Sequence, residues 1–412
     1  MTEMRMPLAG LRVVDFSVLA AGPAAAKMLA DYGAEVICVE SEVGIESAGG
    51  SRQSGPQGMS PINTSYFHNK YNPNKMSVTI DLGNERGRDV MRRLVAVSDV
   101  FVANRRPSVI AKLGLAYEKL HAVNPRLVYL NMPTMGAGGP RSFYSGVSWG
   151  IQAMAGLNMI SGFADRIPTS PSPYSHPDVS CNPLHAVVAI MAALRHRRRT
   201  GQGQMIELAQ YESSICWTGP ALLSYTVTGK LPERPENRHP SAAPHDVYRC
   251  NDEDGWCAIS VFTDEQWTAL ARTIGRSELA DDARYATVLA RKAHEADFRA
   301  IIEPWTSVRS RREVAETLQA AGVPCGPVNN FDELLHKDPQ LLHRQIWTEV
   351  EHPELGAALH EDWGFRLSGV NEDERPRFRA PLLGEHNDYV FQEIIGMTED
   401  EVNDLLIEGV LR

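Results

Sequence analysis

The chain has 412 residues, 43% of them hydrophobic and 22% charged, with a formal net charge of -10. The length exceeds what one core usually fills, and the composition is that of ordinary globular proteins, which sets aside disordered, fibrous and membrane-embedded classes. The acidic surplus argues against nucleic acid as a partner, because neutralising a phosphate backbone calls for a basic face.

LRVVDF (11–16) follows Gly10 and reads as a short strand buried on both faces. Gly22 and Pro23 supply a turn into the helical stretch AAAKMLADY, Gly33 marks its end, and AEVICVE (34–40) is the next strand. SVTIDL (77–82), a helix over about 85–97, DVFVAN (99–104), a short helix near Lys112 and RLVYLN (126–131) continue the alternation. This order predicts an α/β fold with a Rossmann-like parallel sheet covered on both faces. The loops after Phe16, Glu40, Leu82, Ala103 and Asn131 are then expected at one edge, the candidate cofactor site.

Residues 139–183 turn rich in Gly, Ser and Pro, with one helix near 147–160, and loops of that length in compact domains are usually functional. HAVVAIMAALRHRRR (185–199) is apolar on nearly every side of its first three turns, which predicts a buried central helix. Its RHRRR end reads as the solvated, dipole-favoured terminus. After the Pro-rich LPERPENRHPSAAP (231–244), WCAISVF (256–262) is a strand, and Thr263 with Gln266 forms a capping box opening the helix that holds Trp267. A smaller α+β domain is expected at 226–325, closed by GVPCGPVNN (322–330). The tail from about 340 holds a strand, the loop APLLGEHN and a last helix capped by Thr398 with Glu401.

Cys38, Cys181, Cys216, Cys250, Cys257 and Cys325 are scattered without a CxxC pair or zinc spacing, so neither a disulfide framework nor a metal is indicated. With an opening MTEMRMPLAG that lacks a leader pattern, a cytoplasmic protein without a membrane partner is expected. Glu40 ends the second strand as ribose-binding acids often do, but LAAGP replaces GxGxxG and disfavours a dinucleotide site. GKS, GKT, GxSxG and HExxH are all missing. What remains is Asp178 in SPYSHPDVSCNPLHA, by residue type either a helix-opening or loop acid or a catalytic carboxylate. His176 and His185 flank it, each a general base or a packing histidine, and neither is assigned a role.

Taken together, PLAGLRVVDFS, LAAGP, MLADYGAEVICVE, NPNKMSVTIDL, DVFVANRRPSVIAKLGL, NPRLVYLNMPTMGAGGP, QAMAGLNMISG, RRRTGQGQMIEL, NRHPSAAPHDVY and AGVPCGPV resemble the family III CoA-transferases along essentially the whole chain. The resemblance implies that Asp178, seven residues before His185 where some relatives have six, is a covalent nucleophile. It would pass coenzyme A from an acyl-CoA to a free carboxylic acid through an aspartyl anhydride and an aspartyl-CoA thioester. CoA contacts carry over to Ala20, Ala21, Asp81, Leu82, Asn104, Arg105 and Arg106, with Lys112 a further cation; arginine and lysine suit the CoA phosphates. Ser41, Met76 and Gly83 depart from the usual pattern, so binding at the adenine end is expected to differ in detail.

The resemblance also implies an interlocked-ring homodimer. Each chain would contribute residues 1–200 as the first part of a large CoA-binding domain, linkers at 201–225 and 326–350, and a segment 351–412 that completes the large domain. NRHPSAAPH falls where formyl-CoA transferase has a glycine-rich flap, but without the glycines, and no flap is assigned. The rival of the same fold is an α-methylacyl-CoA racemase, whose histidine base sits in a GHD-like segment. Here that segment is Ser145-Gly146-Val147-Ser148, which leaves proton abstraction without half its acid/base pair. The rival from another class is a non-catalytic CoA binder in which Asp178 is structural.

Overall fold

The computed structural model describes residues 6–41, 63–146, 148–170, 176–362, 364–371 and 375–411. The chain divides into two compact units, Met1–Met159, Thr169–Pro232 and Gln345–Arg412 in the larger, Ile160–Pro168 and Glu233–Arg344 in the smaller.

The larger unit is built on strands β1 (Arg12–Asp15), β2 (Glu35–Glu40), β3 (Met76–Thr79), β4 (Val100–Ala103), β5 (Val128–Asn131) and β6 (Gln204–Glu207). They lie in the order β3-β2-β1-β4-β5-β6 and every pair is parallel. This is the doubly wound order, whose direction reverses between β1 and β4. The connecting helices are α1 (Ala21–Asp31), α2 (Tyr66–Tyr71), α3 (Glu85–Ala96), α4 (Pro107–Lys112), α5 (Tyr117–Val123), α6 (Ser148–Met154), α7 (Asn182–Thr200), α8 (Gln210–Ile215) and α9 (Gly219–Thr228). Adjacent strand residues face opposite sides. Val14, Ile37, Val78, Phe101 and Tyr129 therefore meet α3 and the C-terminal Phe391, Val402 and Leu405, while Val13, Val36, Val102 and Val128 meet α1 and α7. The tail is bonded to the sheet directly, the Asp81 amide donating to the Val410 carbonyl at 2.7 Å.

Residues 201–225, expected as a linker, hold β6, α8 and the start of α9 and lie in the larger unit. The string RTGQGQ makes this possible. Gly201 ends α7 in the left-handed conformation, and Gly203 lies so close to the Leu127 carbonyl that a Cβ there would stand 2.0 Å from its oxygen. The chain can thus turn from α7 straight into an edge strand beside β5. The helix α7, expected to be buried all round, buries only one face within the chain: Ala186, Ile190, Ala193 and Leu194 are inside, but Leu184, Val188 and Met191 are exposed. Residues Pro177–Thr200 are long and apolar enough to cross a membrane, yet half of the most apolar stretch within them is buried inside the protein.

The smaller unit has an antiparallel sheet of β7 (His245–Arg249), β8 (Trp256–Ser260) and β9 (Cys325–Pro327), packed by α10 (Asp264–Thr273), α11 (Val288–Ala293), α12 (Phe298–Thr306) and α13 (Arg311–Ala320). The Thr263/Gln266 capping box is present and Trp267 lies in the core. The unit runs on through α14 (Phe331–His336) and α15 (Pro339–Arg344) instead of ending at 325. Arg311 holds it there, pairing with Glu333 at 2.8 Å and donating to the Val328 carbonyl at 2.7 Å. Within this unit the 237–245 loop is tied to itself, the Nδ1 atom of His245 against the Asn237 carbonyl. After the smaller unit, the hairpin of β10 (Trp347–His352) and β11 (Gly356–Glu361) returns to the larger, which ends in α16 (Glu399–Ile407) behind the Thr398/Glu401 capping box.

Candidate active site

At the reversal point between β1 and β4 the β1 exit loop is fixed from beneath. Asp15 and Lys75 form an ion pair at 2.8 Å with both side chains wholly buried. The Lys75 ammonium also donates to the Pro23 carbonyl and to Asn72 Oδ1, each at 2.9 Å, which accounts for all three of its protons. Asp15 accepts from the Ser17 amide at 3.0 Å and from the Ser17 hydroxyl. Beside it Asn104 brackets Val18, accepting from its amide at 2.9 Å and donating to its carbonyl at 2.7 Å. Arg105 lies 4.3 Å over the Phe16 ring, and burial lowers the pKa of its guanidinium. A cation poorly served by water gains from a phosphate or carboxylate partner.

Of the CoA residues expected from the sequence, the structure brings Ala20, Ala21, Asn104 and Arg105 together at this reversal point. Ala20 and Ala21 are buried where α1 begins, with no side chain capping its free amides. Arg106 is exposed and reaches the Phe143 carbonyl at 3.5 Å. Asp81 and Leu82 lie beyond β3 at the far side of the sheet; Asp81 accepts from the Gly83 amide, whereas the Leu82 side chain belongs to the core and its carbonyl is taken by Arg88. Lys112 is the exposed last residue of α4.

Asp178 stands on a π-helical turn, Pro177–Cys181, that runs without a break into α7. The Asn182 amide reaches back to the Pro177 carbonyl, five residues away instead of four, so the turn houses one additional residue. The carboxylate is buried and receives the Ser148 hydroxyl of α6 at Oδ2, with the Asn182 side chain one helical turn on. Burial pushes its pKa up to about 7, against the lowering effect of Asn182. Asn182 is itself fixed, donating to Gln210 Oε1 at 3.3 Å and accepting from the Ser213 hydroxyl, and Gln210 donates to the Met132 carbonyl at 2.7 Å. Met132 follows β5 directly, so this relay ties Asp178 to the carboxyl edge of the sheet.

The neighbouring groups are less suited to attack. Cys181 is three residues on, but burial pushes its thiol up to about 11 and its Sγ donates to the Ser213 carbonyl at 2.9 Å. His176 packs on Trp217, with ring centroids 5.3 Å apart, and the Nδ1 atom of His185 is taken up by the Cys181 carbonyl at 2.8 Å. Val147, the position that would hold a racemase base, lies outside the described residues. Among the described residues no group of His, Cys, Asp and Glu is arranged to hold a metal ion.

The fold is thus a doubly wound α/β sheet with a buried carboxylate joined to its carboxyl edge, the side on which such sheets ordinarily bind their ligands. The pattern describing CoA-transferase family III matches residues 8–387. The succinyl-CoA–D-citramalate CoA-transferase of Chloroflexus aurantiacus is 32% identical, over 98% of each chain. A probable CoA-transferase of Mycobacterium tuberculosis, Rv1866, is 31% identical over 98% of this chain, which spans 50% of that protein's length. The crystal structure of a CAIB/BAIF family protein from Brucella suis superimposes with a TM-score of 0.85 at 32% identity, covering 95% of this chain and 100% of that one. The chain belongs to CoA-transferase family III.

Because the pKa of Asp178 is higher in the folded chain than in the unfolded one, its contribution is fully present below about pH 4 and is lost as pH rises through about 7. Asp178→Asn, which carries no charge, is therefore expected to match the wild type in denaturant melts near pH 4 and to exceed it at pH 8 by on the order of 4 kcal/mol. Equal stability at both pH values would show that the carboxylate is solvated.

Proposed function

We propose that the protein moves CoA from an acyl-CoA to a free carboxylic acid with Asp178 as the covalent nucleophile. The observation that carries this reading is the buried Asp178 carboxylate, bonded by the Ser148 hydroxyl, on a turn tied to the carboxyl edge of the sheet. One oxygen of Asp178 attacks the thioester carbonyl and CoA thiolate leaves, giving a mixed anhydride. The thiolate then adds to the Asp178 carbonyl carbon and expels the donor acid, leaving an aspartyl-CoA thioester. The acceptor carboxylate repeats the two steps in reverse order and restores Asp178. Every nucleophile and every leaving group is an anion, so no proton is moved and no general base is required. That agrees with His176 and His185 being engaged elsewhere. Arg105, Arg106 and the amides at the start of α1, around Ala20 and Ala21, are the proposed phosphate-binding groups, with Asn104 holding the loop; Lys112, Asp81 and Leu82 are proposed for the remaining CoA contacts. The name of the Chloroflexus relative supports succinyl-CoA as the first donor to try and a dicarboxylic acid as the first acceptor.

Asp178→Ala is expected to lower kcat by about 10³-fold or more while the affinity for acyl-CoA, read by calorimetry, stays within a few-fold. Full transferase activity in this variant would assign Asp178 a structural part only.

The same reading includes a homodimer. The helix α9 is apolar, yet none of its residues is buried within one chain; Leu223 is 64% and Val227 77% exposed, and α7 adds Leu184, Val188 and Met191. Apolar faces of this extent are ordinarily covered. Sedimentation of the wild type is expected to give a dimer and that of Val227→Asp a weakened one; a monomeric wild type would contradict it.

A further inference from the structure

The hydroxyl of Ser148 is directed at Asp178 Oδ2. In the chemistry above the two oxygens of Asp178 have different fates. The oxygen that attacks becomes the bridge of the anhydride and departs with the donor acid when the bond to Cγ breaks. The other remains bonded to Cγ throughout. When thiolate adds to Cγ, the electron pair of the C=O bond moves onto that remaining oxygen, and a tetrahedral oxyanion forms there. It collapses as the donor carboxylate leaves. The second such oxyanion forms when the acceptor attacks the aspartyl thioester. Neither step has a protein donor assigned to it.

We infer that Ser148 is a catalytic residue, the hydroxyl donor that stabilises the oxyanion on Asp178 Oδ2 in the two steps centred on the Asp178 carbonyl carbon. This inference rests on the proposed nucleophilic role of Asp178. A donor stabilises such a transition state when it is already aimed at the oxygen that gains charge and needs no reorganisation. Ser148 meets that condition through its mounting. It opens α6, one turn before the wholly buried Gln152, whose amide is tied to the Ser170 hydroxyl. Ser148 and Gln152 are four residues apart and so share one helix face, which points at the π-helical turn. With Oδ2 held by Ser148, attack on the incoming thioester falls to Oδ1. The oxyanion of that first attack lies on the substrate carbonyl and not on Asp178. Ser148 therefore acts selectively, after the anhydride has formed.

That selectivity supplies the test. Wild type, Ser148→Ala, Ser148→Thr and Asp178→Ala are mixed with a reactive acyl-CoA without acceptor, quenched at intervals and weighed intact. In Ser148→Ala the CoA adduct is expected to form about 10²-fold more slowly, while the acyl adduct accumulates and acyl-CoA affinity is unchanged. Ser148→Thr, which keeps a hydroxyl, restores much of the rate; a purely packing role would not distinguish Thr from Ala in this way. CoA-adduct formation at the wild-type rate in Ser148→Ala, with the adduct still abolished in Asp178→Ala, would overturn the role of Ser148 alone. An adduct that persists in Asp178→Ala would overturn the nucleophile and this inference together.

Discussion

The buried pair of Asp15 and Lys75 is the interaction on which the larger unit turns. It stands where the sheet reverses direction, and one ammonium joins the end of β1, the first turn of α1 and the bend before β3. Two charges taken wholly out of water persist only when their hydrogen-bonding capacity is filled, and here the lysine has three acceptors and the aspartate two further donors from Ser17. Loss of either partner would leave the other charge uncompensated, at a cost of about 3–5 kcal/mol. The return is a β1 exit loop with one conformation, against which Asn104 and Arg105 can be set. The proposed phosphate-binding edge has no glycine-rich fingerprint and would draw on such support, its amides aimed by the loop and not by the tightness of a glycine turn.

Asp178 presents the opposite use of burial. Among the described residues it has the Ser148 hydroxyl as donor and no paired cation, and desolvation leaves it poised between its charged and neutral forms near pH 7. A carboxylate in water is a weak nucleophile because its charge is well solvated. Partial desolvation strips that shell, while the Ser148 hydroxyl keeps a hydrogen bond on the carboxylate. The two sites are joined by side chains running from Asn182 through Gln210 to the residue after β5. The proposed nucleophile is thereby referenced to the same sheet that positions the proposed CoA loops.

The sheet was largely legible in the sequence because its central strands are apolar runs: VFVA and VYLN are buried at every position, as a parallel sheet covered on both faces requires. The edge strand β6 was not, since QMIE is mostly exposed and carries no such run. The second face of α7 was misread because sequence reports apolarity and not what covers it. Asp178 could be singled out by its place before an apolar helix together with the family resemblance, but its partners could not. Ser148 lies 30 residues upstream, and Lys75 lies 60 residues from Asp15. The available signals were slight: a polar Asn182 opening an apolar helix four residues after Asp178, and a lysine in NPNK directly before a strand that closes over it.

The most direct test of the account is to locate the covalent intermediate. The enzyme is incubated with acyl-CoA, treated with borohydride, digested and sequenced by mass spectrometry. Reduction of an aspartyl thioester converts that aspartate to homoserine, and the account predicts homoserine at position 178 and at no other acid, only after exposure to acyl-CoA. An unmodified Asp178 in enzyme that is turning over, or a reduced residue elsewhere, would contradict it.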